Sequence, residues 1–138
     1  MEEKKPPVPP LEILLVEDDE TYALMARREF EKSSLAVNLS VAKDGEEALQ
    51  FLRREGVFAN APRADLVLLD LNLPKKSGRE VLAELKGDKR LSLVPVVTLT
   101  ASPDTRDIAA AYGVSYREGT SKIGWLKELI KVLEKQPG

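Results

Sequence analysis

Four short aliphatic runs recur along the chain, and a stretch of helical periodicity follows each one. The runs are Leu11–Val16, residues 35–42 (LAVNLSVA), residues 65–70 (DLVLLD) and residues 94–100 (VPVVTLT). Only LAVNLSVA alternates with period two. The others are nearly continuous, which suits strands covered on both faces, as in a parallel sheet. Residues 20–33 put Tyr22, Met25, Ala26 and Phe30 on one helical stripe, and residues 45–55 do the same with Ala48, Leu49 and Leu52. Asp44 with Glu47, and Ser77 with Glu80, are spaced as capping boxes, and Val81, Leu82 and Leu85 follow the second. Ser102-Pro103 reads as an N-cap before a first-turn proline, leading to Ile108, Ala111 and Tyr112. Leu126, Leu129, Ile130 and Leu133 mark the last helix. A weak fifth strand falls somewhere in 114–121. Strands alternating with helices imply βαβ units, and right-handed crossovers wind them into a three-layer, doubly wound α/β sandwich. In such a sheet, ligands bind beyond the carboxyl ends of the strands.

Composition narrows the chemistry available there. The chain has no cysteine and no histidine. That removes thiol catalysis, disulfides, imidazole bases and most zinc sites, leaving carboxylates, hydroxyls, lysine, arginine and backbone. The 21 basic and 23 acidic residues leave a net charge of −2, so no global field draws the chain to nucleic acid or to an anionic membrane. No apolar run approaches the roughly 20 residues of a membrane span. Residues 1–10, MEEKKPPVPP, lack the apolar segment of a signal peptide and read as a flexible arm. Residues 11–138 then form a single domain, with a cytoplasmic location expected.

At the expected strand ends lie Glu17-Asp18-Asp19-Glu20, Asp70, Thr100-Ala101 and, before the last helix, Lys122. A run of four acids can simply open a helix, with Asp18 or Asp19 as cap. Asp70 argues for more, because it closes an aliphatic strand, where a carboxylate is costly to bury unless paired or bound to a cation. Carboxylates converging on one point suit a hard ion such as Mg²⁺. There is no glycine-rich phosphate loop. A metal-assisted carboxylate nucleophile forming an acyl phosphate fits what remains. Thr100 alone is weak evidence, since threonine commonly ends a strand for structural reasons. Lys122 would sit against the helix dipole, so it is either a solvated lysine or a fixed ammonium that pairs with a phosphoryl oxygen or with Asp70.

The strings ILLVEDD (13–19), DLVLLDLNLPKKSG (65–78) and PVVTLTAS (95–102) together resemble the receiver domain of two-component response regulators. The similarity covers about residues 11–135 and is nearest to single-domain regulators that partner phytochromes. The resemblance implies a flavodoxin-like fold with a five-stranded parallel sheet, order 2-1-3-4-5, flanked by five helices. It puts the phosphoacceptor at Asp70, attacking a phosphohistidine of a partner kinase. It assigns Mg²⁺ to Asp18 directly, Glu17 through water, Asp70, and the backbone carbonyl of Asn72. Thr100 would bind the phosphoryl oxygen, Ala101 would leave room for phosphate access, and Pro74 and Gly78 would shape the loop after Asp70.

The chain departs from the family where a Lys-Pro pair is usual. If Tyr116 is the switch aromatic, the lysine position falls on Gly119; without a gap after Thr100 it falls on Lys122, 22 residues on. The ungapped register keeps Leu126, Leu129 and Ile130 on the helical stripe and is preferred. No output domain is expected after residue 135, so phosphorylation is expected to act through a changed binding surface. The expected partners are a sensor histidine kinase such as a phytochrome, or a phosphotransfer protein. A homodimer is also expected, with Tyr116 and Trp125 near its face, although core packing explains both residues too. The chain would not be an enzyme beyond its own phosphotransfer and dephosphorylation. The competing readings are an adaptor that binds partners without phosphorylation and a small Mg²⁺-dependent aspartate phosphohydrolase.

Overall fold

A computed structural model describes residues 10–73, 76–99, 103–115 and 120–135. Strands β1 (Leu11–Val16), β2 (Val37–Ala42), β3 (Leu66–Leu69) and β4 (Val96–Thr98) form a parallel sheet in the order β2-β1-β3-β4. Five helices accompany them: α1 (Glu20–Lys32), α2 (Gly45–Arg53), α3 (Gly78–Gly87), α4 (Pro103–Tyr112) and α5 (Lys122–Glu134). No helix among the described residues is long and apolar enough to cross a membrane.

The aliphatic runs become strands because successive side chains leave a strand on opposite faces. On β1, Leu14 and Val16 enter one core and Ile13 and Leu15 the other; on β3, Val67 and Leu69 divide from Leu66 and Leu68 in the same way. The first core is closed by α2 and α3, through residues such as Leu49, Leu52, Leu82 and Leu85, with Ala109 of α4. The second is closed by Tyr22, Ala26 and Phe30 of α1 and by Leu126, Leu129 and Ile130 of α5. Burial on both faces is why these two strands carry no polar alternation. β2 lies at the sheet edge and is mostly half-buried, with Asn38 exposed, which accounts for its period-two pattern. The capping signals act locally. Asp44 accepts from Glu47 N–H and Ser77 Oγ from Glu80 N–H.

The expectation of five strands is corrected. Among the described residues the sheet has four. The segment after α4 contributes one parallel bridge, Ser115 opposite Val97, at the free side of β4. Thr98 N–H donates to the Ser115 carbonyl at 2.9 Å. Residues 116–119, with Tyr116 and Gly119, lie outside the described residues.

Candidate functional site

The ladder of the sheet continues one residue past β1 and β3. Glu17 N–H donates to the Ala42 carbonyl at 2.9 Å, and Asp70 N–H to the Val16 carbonyl at 3.1 Å. These bonds hold Glu17 and Asp70 side by side at the carboxyl edge of the sheet. Both are buried, at 2% and 5% exposure, although each is a carboxyl group. The exposed Asp18 joins them, and one carboxylate oxygen from each of the three lies within 4.8 Å of the others.

The run of four acids divides its work. Asp19 caps α1, accepting from Thr21 N–H at 2.9 Å and Tyr22 N–H at 3.3 Å. Its own N–H donates to Glu17 Oε1 at 3.2 Å, which fixes the Glu17 side chain. Glu20 opens α1. Helix capping and the acidic cluster are therefore both present, on neighbouring residues.

Lys122 reaches this cluster from the first position of α5, whose N-cap is Ser121. Its Nζ donates to Glu17 Oε2 at 2.9 Å and Asp70 Oδ2 at 3.3 Å. The ammonium also sits 4.3 Å from the centroid of the Tyr22 ring, a cation–π distance. Tyr22 Oη donates to the Lys122 carbonyl at 3.2 Å, tying the start of α5 to α1. The carboxylates supply the local reason for a lysine at the positive end of a helix.

The loop after β3 is built around Asp70. Asn72 N–H donates to Asp70 Oδ1 at 3.0 Å, while the Asn72 side chain is exposed. Gly78 N–H donates to the Leu71 carbonyl at 3.1 Å. A Cβ on Gly78 would overlap Leu71 Cα and lie 2.8 Å from the Asp70 carbonyl oxygen, so only glycine lets α3 start this close to the loop. Thr100, Ala101 and Pro74 lie outside the described residues. The chain is delivered towards them by Leu99, whose N–H donates to the Leu69 carbonyl at 2.9 Å.

Burial pushes the Glu17 carboxyl up to about 7; the nearby Asp70 charge adds to this, and the Lys122 hydrogen bond opposes it. Burial alone would lower the Lys122 ammonium. Its hydrogen bond to Glu17 and the charges of Asp70 and Glu17 outweigh burial, and the net shift is upward. Tyr22 is raised by burial, then by the charges of Glu17 and Asp70. The two buried carboxylates share the Lys122 ammonium, and Asp18 lies beside them. This all-oxygen, charge-rich set fits a hard divalent cation.

Asp19 takes the cap position that the sequence offered to Asp18 or Asp19, whereas Tyr22 is a site residue that sequence reasoning did not assign to the cluster. Tyr22 read only as part of the apolar stripe, and its place one turn after the acids was the available signal. Trp125 donates from Nε1 to the Thr98 carbonyl at 2.8 Å and packs against the α1/α5 core, a packing role on β4.

The response regulator receiver domain family matches residues 13–134. Response regulator Rcp1 of Synechocystis sp. is 41% identical over 126 residues, covering 91% of this chain and 86% of that protein. Two solved structures superpose closely. The phosphorylated cyanobacterial phytochrome response regulator RcpA has a TM-score of 0.79 at 37% identity, covering 91% of this chain and 92% of that one. The Mn²⁺-bound form of response regulator Rcp1 has a TM-score of 0.78 at 36% identity, with the same coverage, 91% and 92%.

Proposed function

The chain belongs to the response regulator receiver domain family, and from that premise we propose that it accepts a phosphoryl group on Asp70 from a partner histidine kinase. The observation that carries this reading is the contact of the Lys122 ammonium with both Glu17 and Asp70, beside Asp18. An Asp70 oxygen attacks phosphorus, the P–N bond to the donor imidazole breaks, and the electron pair returns to that ring. The chain has no histidine, so the donor imidazole lies outside this sequence. Mg²⁺, when bound, neutralises charge on the transferring phosphoryl group. Asp18 would hold it directly, Glu17 through water, and Asp70 and the Asn72 carbonyl would complete the protein ligands. Lys122 supplies a fixed positive charge beside the acceptor, Thr100 a hydroxyl for the phosphoryl oxygen, and Ala101 the space for its entry.

The output is a changed binding surface, reached by a population shift on phosphorylation. The partner is a phytochrome-type kinase, a reading supported by the phytochrome response regulator among the similar structures; a phosphotransfer protein could take the same place in the relay. A cytoplasmic location and a homodimer complete the proposal.

Labelling with Mg²⁺ and acetyl phosphate tests it. One base-labile phosphoryl group per chain, absent from Asp70→Asn, is the expected result. No adduct and no Mg²⁺ binding would overturn it in favour of an unphosphorylated adaptor. Rapid multiple turnover of a diffusible phosphate ester would identify a phosphohydrolase instead.

A further inference from the structure

The end of the sheet opposite the acids carries a groove of about 720 Å³. It is lined by residues preceding β3 and β4 and by the C-terminal end of α2. Four arginines, Arg53, Arg54, Arg63 and Arg90, line it over apolar side chains that include Leu52 and Leu91. Two of these guanidiniums are already engaged. Arg53 pairs with Glu84 and Asp88, both at 3.5 Å, and Arg90 with Asp88 at 3.3 Å. The Asp65 carboxylate, also in the lining, accepts from Glu12 N–H at 2.9 Å. Arg54 and Arg63 are exposed, and neither guanidinium has a hydrogen-bonding or acidic partner among the described residues.

We propose that this groove binds a small phosphorylated ligand with a flat body, of the nucleoside monophosphate class. A guanidinium presents a fork of donors matched to phosphate and a face that stacks on a planar ring. Arg54 and Arg63 offer both functions, and Ala59, Ala64 and Val94 give the ring an accessible apolar surface above the buried Leu52 and Leu91. The volume falls within the roughly 300–1,000 Å³ of small-molecule sites. A protein partner would instead spread over about 800 Å² of this chain. Recognition here uses side chains, so it needs no glycine-rich phosphate loop, and it does not depend on the chemistry of Asp70.

The test is an amide NMR titration of the whole chain with AMP, with inorganic phosphate, adenosine and poly-glutamate as separate arms. The expected result is saturable shifts at residues 54, 63–65 and 91–94 with AMP, and weaker shifts with phosphate or adenosine alone. Arg54→Asn combined with Arg63→Ser should weaken AMP binding about tenfold or more. Asparagine tolerates the left-handed backbone at Arg54 (φ 57°). The double variant should keep its Tm and its labelling by acetyl phosphate. Absence of AMP shifts, AMP shifts that survive the double variant, or phosphate binding as tight as AMP would each overturn the proposal. So would binding of poly-glutamate without AMP, which would assign the groove to an acidic protein.

Discussion

Glu17 concentrates the electrostatic tension of the site, because a carboxyl at about 7 in place of 4.5 holds its proton about half the time at neutral pH. The sign follows from linkage. An acid raised by folding stabilises the fold fully below its unfolded value, and that contribution is lost as pH climbs through the folded value. The Tm of the metal-free protein should therefore fall as pH rises from about 4.5 to about 7, as read by calorimetry. Mg²⁺ must displace the same proton, so its affinity should rise across that window and level off above it, with proton release visible in a weakly buffered titration. The second prediction concerns Lys122, whose ammonium competes with any cation for Glu17 and Asp70. Lys122→Met keeps an apolar stem over Tyr22 and removes the charge. Mg²⁺ should then bind about tenfold more tightly, while labelling by acetyl phosphate should slow by about a hundredfold. Trp125 fluorescence and mass spectrometry read the two effects, and no change in either would remove Lys122 from the site. The sequence marked Glu17, Asp18 and Asp70 as acids at strand ends. It could not mark the Lys122–Glu17 contact, which joins residues 105 apart, because nothing local in either segment encodes it.

At the scale of elements, the junction from β3 to α3 is the one that most directly shapes the site. Gly78 allows the α3 N-terminus to press on Leu71 and the Asp70 carbonyl. Gly78→Ala should destabilise the chain by about 1–3 kcal/mol in urea unfolding. By shifting the Asp70–Asn72 turn, it should also weaken Mg²⁺ binding, whereas the exposed Gly87→Ala, with open space around its Cβ, should do neither. Element starts were legible where one side chain decides them: Asp44 and Ser77 cap the helices their spacing announces. The fifth strand was legible only weakly, because 115–121 carries no aliphatic residue and an edge strand depends on what the sheet offers it.

For the whole molecule, the sheet separates two cores, one under α2 and α3 and one under α1 and α5. Leu82 belongs to the first and Ile130 to the second. Leu82→Ala should cost about 2–5 kcal/mol and Ile130→Val about 0.5–1.5 kcal/mol. Because the two share no core, the double variant should equal their sum within about 0.5 kcal/mol, while unfolding in a single transition. A large non-additive term would show that strain passes through the sheet. Periodicity and aliphatic runs alone determined that this chain forms a parallel α/β sandwich, since the hydrophobic pattern repeats within each element and needs no knowledge of its neighbours. Absent histidine and cysteine likewise determined which chemistry was available. Only the tertiary structure decided that Lys122 lies on Glu17 and Asp70 and that four arginines gather at the far end of the sheet. Each of these depends on residues distant in sequence meeting in space, and local patterns carry no record of that distance.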